Sequence, residues 1–125
     1  MKIIGTGSAH PTCAVTNQML EQFLETTDEW ITERTGIKER CVISSEHLED
    51  MAVYAANKAL EDAGLTAADI DFLICSNVVN EYVTPALSCI IQGKLGAKCP
   101  TVDINAACAG FIYAMDMADD KLKAG

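Results

Sequence analysis

A chain of 125 residues that is 50% hydrophobic and 22% charged has the apolar content of one folded domain and too little charge for a disordered one. Its net charge of −9 excludes a nucleic-acid surface, which needs clustered positive charge. No apolar run approaches the ~20 residues that span a bilayer, the six cysteines include no C-x-x-C pair of a zinc or redox site, and the start lacks a signal-peptide pattern. The expectation is a soluble cytoplasmic protein with reduced thiols and neither metal nor bound cofactor.

Lys2 to Ser8 alternates and is rich in Ile and Gly, predicting a buried strand that runs into a loop through His10 and Pro11. Asn17 reads as the N-cap of a short helix with Met19, Leu20, Phe23 and Leu24 on its apolar face. A second helix follows in Thr27 to Gly36, with a Thr cap, acids in the first turn and a Gly stop. Trp30 and Arg34, four apart, share one of its faces. That pair fits either a core tryptophan with a solvated arginine or an aromatic and guanidinium platform for a nucleotide base.

Ile37 to Ile43 reads as a strand, and Arg34, Lys38 and Arg40 are the one basic concentration of an acidic chain. They fit a solvated edge or an electrostatic docking point for phosphates or an acidic partner. Leu48, Met51, Ala52, Ala55, Ala59 and Ala63 mark one face of a long helix that Gly64 ends, with His47 on the loop before it. Thr66 to Asp69 has capping-box spacing, and Ile70 to Ser76 is a mostly apolar strand suited to a covered parallel sheet. Thr84 as cap and Pro85 at the first position start the next helix, whose buried face is Leu87, Ile90, Ile91 and Leu95 and whose stop is Gly96. Strand, helix and strand from Ile70 to Asn105 then form a parallel crossover.

The chemistry concentrates in Thr101 to Phe111. Thr101, Val102, Asp103 and Ile104 are strand residues, Ala106, Ala107, Ala109 and Gly110 surround Cys108, and Phe111, Ile112, Met115, Ala118 and Leu122 follow at helical spacing. Cys108 therefore falls at a helix N-terminus. A free thiol is only about 3 per cent ionised at neutral pH, and a helix N-terminus favours an anion by roughly 0.3 to 2 kcal/mol. Small neighbours leave room for an acyl group, and helix N–H groups can steady the oxyanion of an attacked thioester. Cysteine is otherwise most often a small buried hydrophobe, and Cys13, Cys41, Cys75, Cys89 and Cys99 are read so. Only Asn105 is strongly polar from Ile104 to Met115, so this helix begins apolar round most of its circumference and calls for partners on both sides.

Asp103-Ile104-Asn105-Ala106-Ala107-Cys108-Ala109-Gly110-Phe111 resembles the active-site block of β-ketoacyl-acyl carrier protein synthase III, a condensing enzyme of type II fatty acid synthesis. Ile3-Ile4-Gly5-Thr6-Gly7-Ser8 resembles its opening strand, Thr27-Asp28-Glu29-Trp30-Ile31 with Arg34-Thr35-Gly36-Ile37 its early motif, and Ala63-Gly64 the end of its long helix. The resemblance implies an α/β, thiolase-like fold, with residues 1–125 as an N-terminal subdomain whose mixed, largely parallel sheet is covered by helices. It implies Cys108 as the acyl-accepting nucleophile; Thr26, Trp30 and Arg34 as coenzyme A contacts; and Thr84 as a residue that enters the partner's acyl pocket in a homodimer. Acyl-coenzyme A and malonyl-acyl carrier protein are the implied substrates. The family is well over twice this length, and its second half supplies a His and an Asn for decarboxylation. Neither His10 nor His47 matches them, so the chain is expected to be a truncated part that accepts an acyl group but does not complete the condensation. Two alternatives stand beside this: a related condensing enzyme or acyltransferase with another acceptor, and a noncatalytic half-synthase that binds a carrier or dimerises.

Overall fold

Cys13–Thr16 (β1) and Glu39–Val42 (β2) pair antiparallel, Cys13 opposite Val42 and Thr16 opposite Glu39, in the computed structural model, which describes residues 1–125. They are the sheet of one compact unit, Ala9–Met51; the other unit joins Met1–Ser8 to Ala52–Gly125. In the first unit Glu46 ties the ends of the hairpin. One of its carboxylate oxygens accepts the Thr12 N–H and hydroxyl at 2.8 and 2.7 Å, the other the N–H groups of Ser44 and Ser45 at 3.0 and 3.2 Å. The Thr12 hydroxyl, and after it the backbone donors, hold this carboxyl far below the ordinary range.

Between the strands lie α1 (Asn17–Leu20) and α2 (Asp28–Thr35). Helix α2 has its expected signals: the Thr27 hydroxyl accepts the Trp30 N–H at 3.1 Å, and Gly36 closes the helix at φ +72°, a left-handed conformation that glycine adopts without a Cβ clash. The start of α1 differs from expectation. Thr16, not Asn17, is the cap, accepting the Met19 N–H at 3.3 Å, and the helix stops at Leu20, leaving Phe23 and Leu24 beyond it and exposed. The reason is that the Asn17 side chain is drawn inward to other partners and is completely buried.

In the second unit Leu73–Ser76 (β3) and Thr101–Ile104 (β4) run parallel, Leu73 opposite Thr101 and Ser76 opposite Ile104. Leu87–Leu95 (α4) and Gly110–Ala124 (α5) pack against both strands. Leu87, Ile91, Ala97 and Cys99 are its buried apolar residues. The long helix α3 (Leu48–Ala63) and the capping box at Thr66 and Asp69 are as expected.

Three further expectations need correction. Residues 2–8 form no strand: Ile3 and Ile4 are exposed, and the segment runs along α3, where a Cβ on Gly5 or Gly7 would overlap the carbonyl oxygens of Ala59 or Ala55. The glycines and alanines are small because backbone meets helix there. The α/β class holds, but in place of one mixed sheet there are two sheets of two strands, one antiparallel and one parallel. Finally, α4 begins at Leu87, after a cis Thr84–Pro85 bond, so Pro85 is outside the helix and Thr84 is not its cap. No helix is long and apolar enough to cross a membrane.

Candidate active site

Strand β4 ends at Ile104, and a single 3-10 turn, Ala107–Ala109, carries Cys108 directly into α5. The turn is closed by Ala109 N–H donating to the Ala106 carbonyl at 3.0 Å. Ala107, just before the cysteine, has φ +45°, the one residue other than glycine with positive φ. An L-residue in this region costs on the order of 1–3 kcal/mol and persists only where its surroundings impose it. Cys108 itself is exposed, as the reading of small neighbours required. Gly110 has a different reason for being small. It is buried, and a Cβ there would overlap the Ser76 hydroxyl at the end of β3.

Five residues before the cysteine, Asp103 ties β4 to the start of α4. One Asp103 oxygen accepts the Leu87 N–H at 2.9 Å and the Asn77 amide at 3.0 Å, and the other accepts the Ser88 N–H at 2.8 Å. The carboxylate on β4 thereby caps α4, whose own cap residue, Ala86, has no side chain able to do so. Burial by itself would raise the Asp103 pKa; hydrogen bonds from Ser88, Asn77 and Leu87 outweigh it and hold the group below its ordinary value. Beyond the turn, Phe111 and Ile112 are each 63% exposed, so α5 does begin with an uncovered apolar face. Thr84 belongs to this same unit and is exposed beside Val83, which has no cover at all.

The other predicted residues lie together in the first unit. The Arg34 guanidinium sits over the Trp30 ring, 4.9 Å from its centroid, as their spacing predicted, and both side chains are exposed. Thr26, Thr27, Trp30, Leu24 and Glu25 line an open hollow of about 650 Å³, within the range of small-molecule clefts. The Thr26 hydroxyl faces no hydrogen-bond partner in the protein. Arg40 departs from the basic patch: it is half-buried, donating to the Val15 carbonyl at 3.1 Å and to the Asn17 amide oxygen at 2.5 Å. His10 and His47 are both exposed loop residues, and no group of three His, Cys, Asp or Glu is placed to hold a metal.

Sequence reasoning missed Asn17, Asp103 and the strain at Ala107. For Asp103 a signal was available, an acid inside an apolar strand, which needs donors to be there at all. Comparison with known proteins bears on the rest. The family described as Thiolase, N-terminal domain, matches residues 31–125. The β-ketoacyl-[acyl-carrier-protein] synthase III of Clostridium perfringens is 48% identical over 125 residues, which are 99% of this chain and 39% of that protein. The crystal structure of 3-oxoacyl-[acyl-carrier-protein] synthase III from Aquifex aeolicus superposes with a TM-score of 0.96 at 45% identity, over 99% of this chain and 41% of that one. A priming β-ketosynthase of a polyketide biosynthetic pathway follows at a TM-score of 0.90 and 39% identity, over 95% and 36% of the two chains. The chain thus spans about two fifths of the length of the relatives it matches.

Proposed function

The chain belongs to the thiolase N-terminal domain family, and on that premise we propose that it is the acyl-accepting part of a β-ketoacyl-acyl carrier protein synthase III. In this reading the Cys108 sulfur attacks the carbonyl of an acyl-coenzyme A, the acyl–cysteine thioester forms, and coenzyme A leaves as its thiol. In the complete protein malonyl-acyl carrier protein then loses carbon dioxide, its carbanion attacks the thioester, and the cysteine sulfur departs from the β-ketoacyl product. The His and Asn that assist decarboxylation belong to the part of the relatives outside these 125 residues.

The observation that carries the proposal is the seat of Cys108: exposed, in a one-turn link between β4 and a helix of 15 residues, behind a strained Ala107. Such a seat points a side chain out of the fold at the positive end of a helix dipole. The hollow beside Trp30, which Thr26 helps to line, and the Arg34 stack support coenzyme A recognition in the other unit. Thr84 fits an acyl-pocket role across a homodimer by its exposure alone. A cytoplasmic location follows from the same reading.

Incubation with radiolabelled acetyl-coenzyme A tests it. Label should appear on the protein and vanish in Cys108→Ala; label retained by that variant refutes the nucleophile, and a protein that takes no label is a binding module. A second reading keeps the cysteine and changes the starter or acceptor, and the 39% identity to a priming β-ketosynthase favours it. A panel of acyl donors and acceptor thioesters separates the two.

A further inference from the structure

Asn17 is the most deeply buried polar side chain of its unit, with no exposed surface, and every part of its amide is used. The nitrogen donates to Asp28 Oδ1 at 2.7 Å and to the Ile37 carbonyl at 2.8 Å, with Thr32 Oγ1 at 3.4 Å. The oxygen accepts from Arg40 Nη2 at 2.5 Å. Its backbone N–H donates to the Lys38 carbonyl at 3.1 Å. Two acceptors face the nitrogen and a cation faces the oxygen, so the partners fix the amide's orientation.

These links meet at one side of α2. Asp28 and Thr32 are one turn apart and bonded to each other at 3.3 Å. Trp30 and Arg34 lie two residues further on, about 200° round the helix, and so project from the opposite face. Helix α2 has no buried residue, and Ile31, on the side of Asp28 and Thr32, is only partly covered. The Asn17 amide, gripping Asp28, the chain after the helix and β2, adds the directional hold on its rotation that this partial apolar cover does not supply. Buried polar networks that are fully satisfied hold one geometry, because any rotation leaves an unpaired group.

We infer that Asn17 is a positioning residue for nucleotide recognition, setting the rotation of α2 and with it the aim of the Trp30 and Arg34 face. The inference rests on the coenzyme A reading of that face. Asn17→Asp places a carboxylate against Asp28 and removes the donor to Ile37, while Asn17→Asp combined with Asp28→Asn restores a donor and acceptor pair across the contact with residue 28, its direction reversed, and still leaves the Ile37 carbonyl without that donor. Trp30 is the chain's only tryptophan, so its fluorescence reports this face directly.

The test measures acetyl-coenzyme A affinity by calorimetry and acrylamide quenching of Trp30, with far-ultraviolet circular dichroism to check folding, in the wild type, Asn17→Asp, the double variant, Thr32→Val and Arg34→Ala. Asn17→Asp should weaken binding about tenfold, the equivalent of about 1.4 kcal/mol, and change quenching with the helical signal intact, and the double variant should recover part of both. Thr32→Val, a milder loss on the same side that keeps the fold, should move both in the same direction and less. If Asn17→Asp or, where that variant does not fold, Thr32→Val binds and quenches as the wild type does, the inference is overturned while the coenzyme A reading stands. If instead the wild type does not bind, or Arg34→Ala binds equally well, the coenzyme A reading fails. Quenching then decides the positioning role alone, and quenching unchanged in the variants overturns it.

Discussion

The two regions that carry the predicted functional residues are built by opposite means. Around Cys108 the chain is held by close approach and by one acid: Gly110 against Ser76, Asp103 across the start of α4, and Ala107 at φ +45° between them. Around Trp30 the holding groups are polar side chains converging on the Asn17 amide, beneath a helix with no buried residue. The cysteine region is sensitive to added volume at Gly110 and to loss of the Asp103 acceptor, whereas the Trp30 region is sensitive to any change that leaves a donor or acceptor of its network unpaired. The two regions should therefore fail under different substitutions.

Removing Asp103 should give the largest loss. Asp103→Ala deletes the acceptor for two α4 N–H groups and for Asn77, and its cost is on the order of 3 kcal/mol, read as a lower denaturant midpoint. The same acid sets a pH dependence. Its folded pKa is lowered, so its contribution is complete above the unfolded value of about 3.9 and is lost as pH falls through the lower folded value. Asp103→Asn should accordingly lose less stability than the wild type between pH 4 and the acid transition, as about one titrating group fewer predicts. Equal slopes would mean that the ionised carboxylate does not stabilise the start of α4.

That acid also shows where the sequence was legible and where it was not. Helix α2 was readable residue by residue, because Thr27, Asp28, Glu29 and Gly36 act on backbone groups within a few positions of themselves. The strand, turn and helix around Cys108 were readable for the same reason. Local signals failed where the partner is remote in sequence. Asn17 looks like a cap, but its side chain answers to residues 11 to 23 positions away. Thr84 and Pro85 look like a helix start, but the cap of α4 comes from Asp103, 16 positions beyond Leu87. Lys2 to Ser8 has the alternation of a strand, but it lies on α3, where the periodicity of the segment decides nothing.

A smaller effect isolates packing near the cysteine. Gly110→Ala should gain about 1 kcal/mol of helix propensity at a residue with helical φ and lose about 1–3 kcal/mol to overlap with Ser76, a net loss of about 1 kcal/mol. The overlapping atom is the Ser76 hydroxyl; the Ser76 Cβ stands at 3.5 Å, an ordinary contact. In a Ser76→Ala background the sign should reverse, leaving Gly110→Ala neutral or stabilising. Such a reversal is a coupling that two independent sites would not show, and a thermal-melt cycle of the four proteins measures it.

The most local effect belongs to the polar region. Thr27→Ala removes the hydroxyl that accepts the Trp30 N–H, a cap loss of about 1 kcal/mol. Because no residue of α2 is buried, that loss opens the first turn rather than the unit. Amide exchange at Trp30 should speed up about fivefold, the rate equivalent of that energy. Ile31 donates to the Thr27 backbone carbonyl at 3.1 Å, a bond the substitution leaves in place, so its amide should respond less. Exchange in α5 should be unchanged, since Gly110, Ser76 and Asp103 have no part in the cap. If protection fell across α5 as well, the Thr27 hydroxyl would be supporting more than one turn, and the division between a packed cysteine region and a polar Trp30 region would have to be given up.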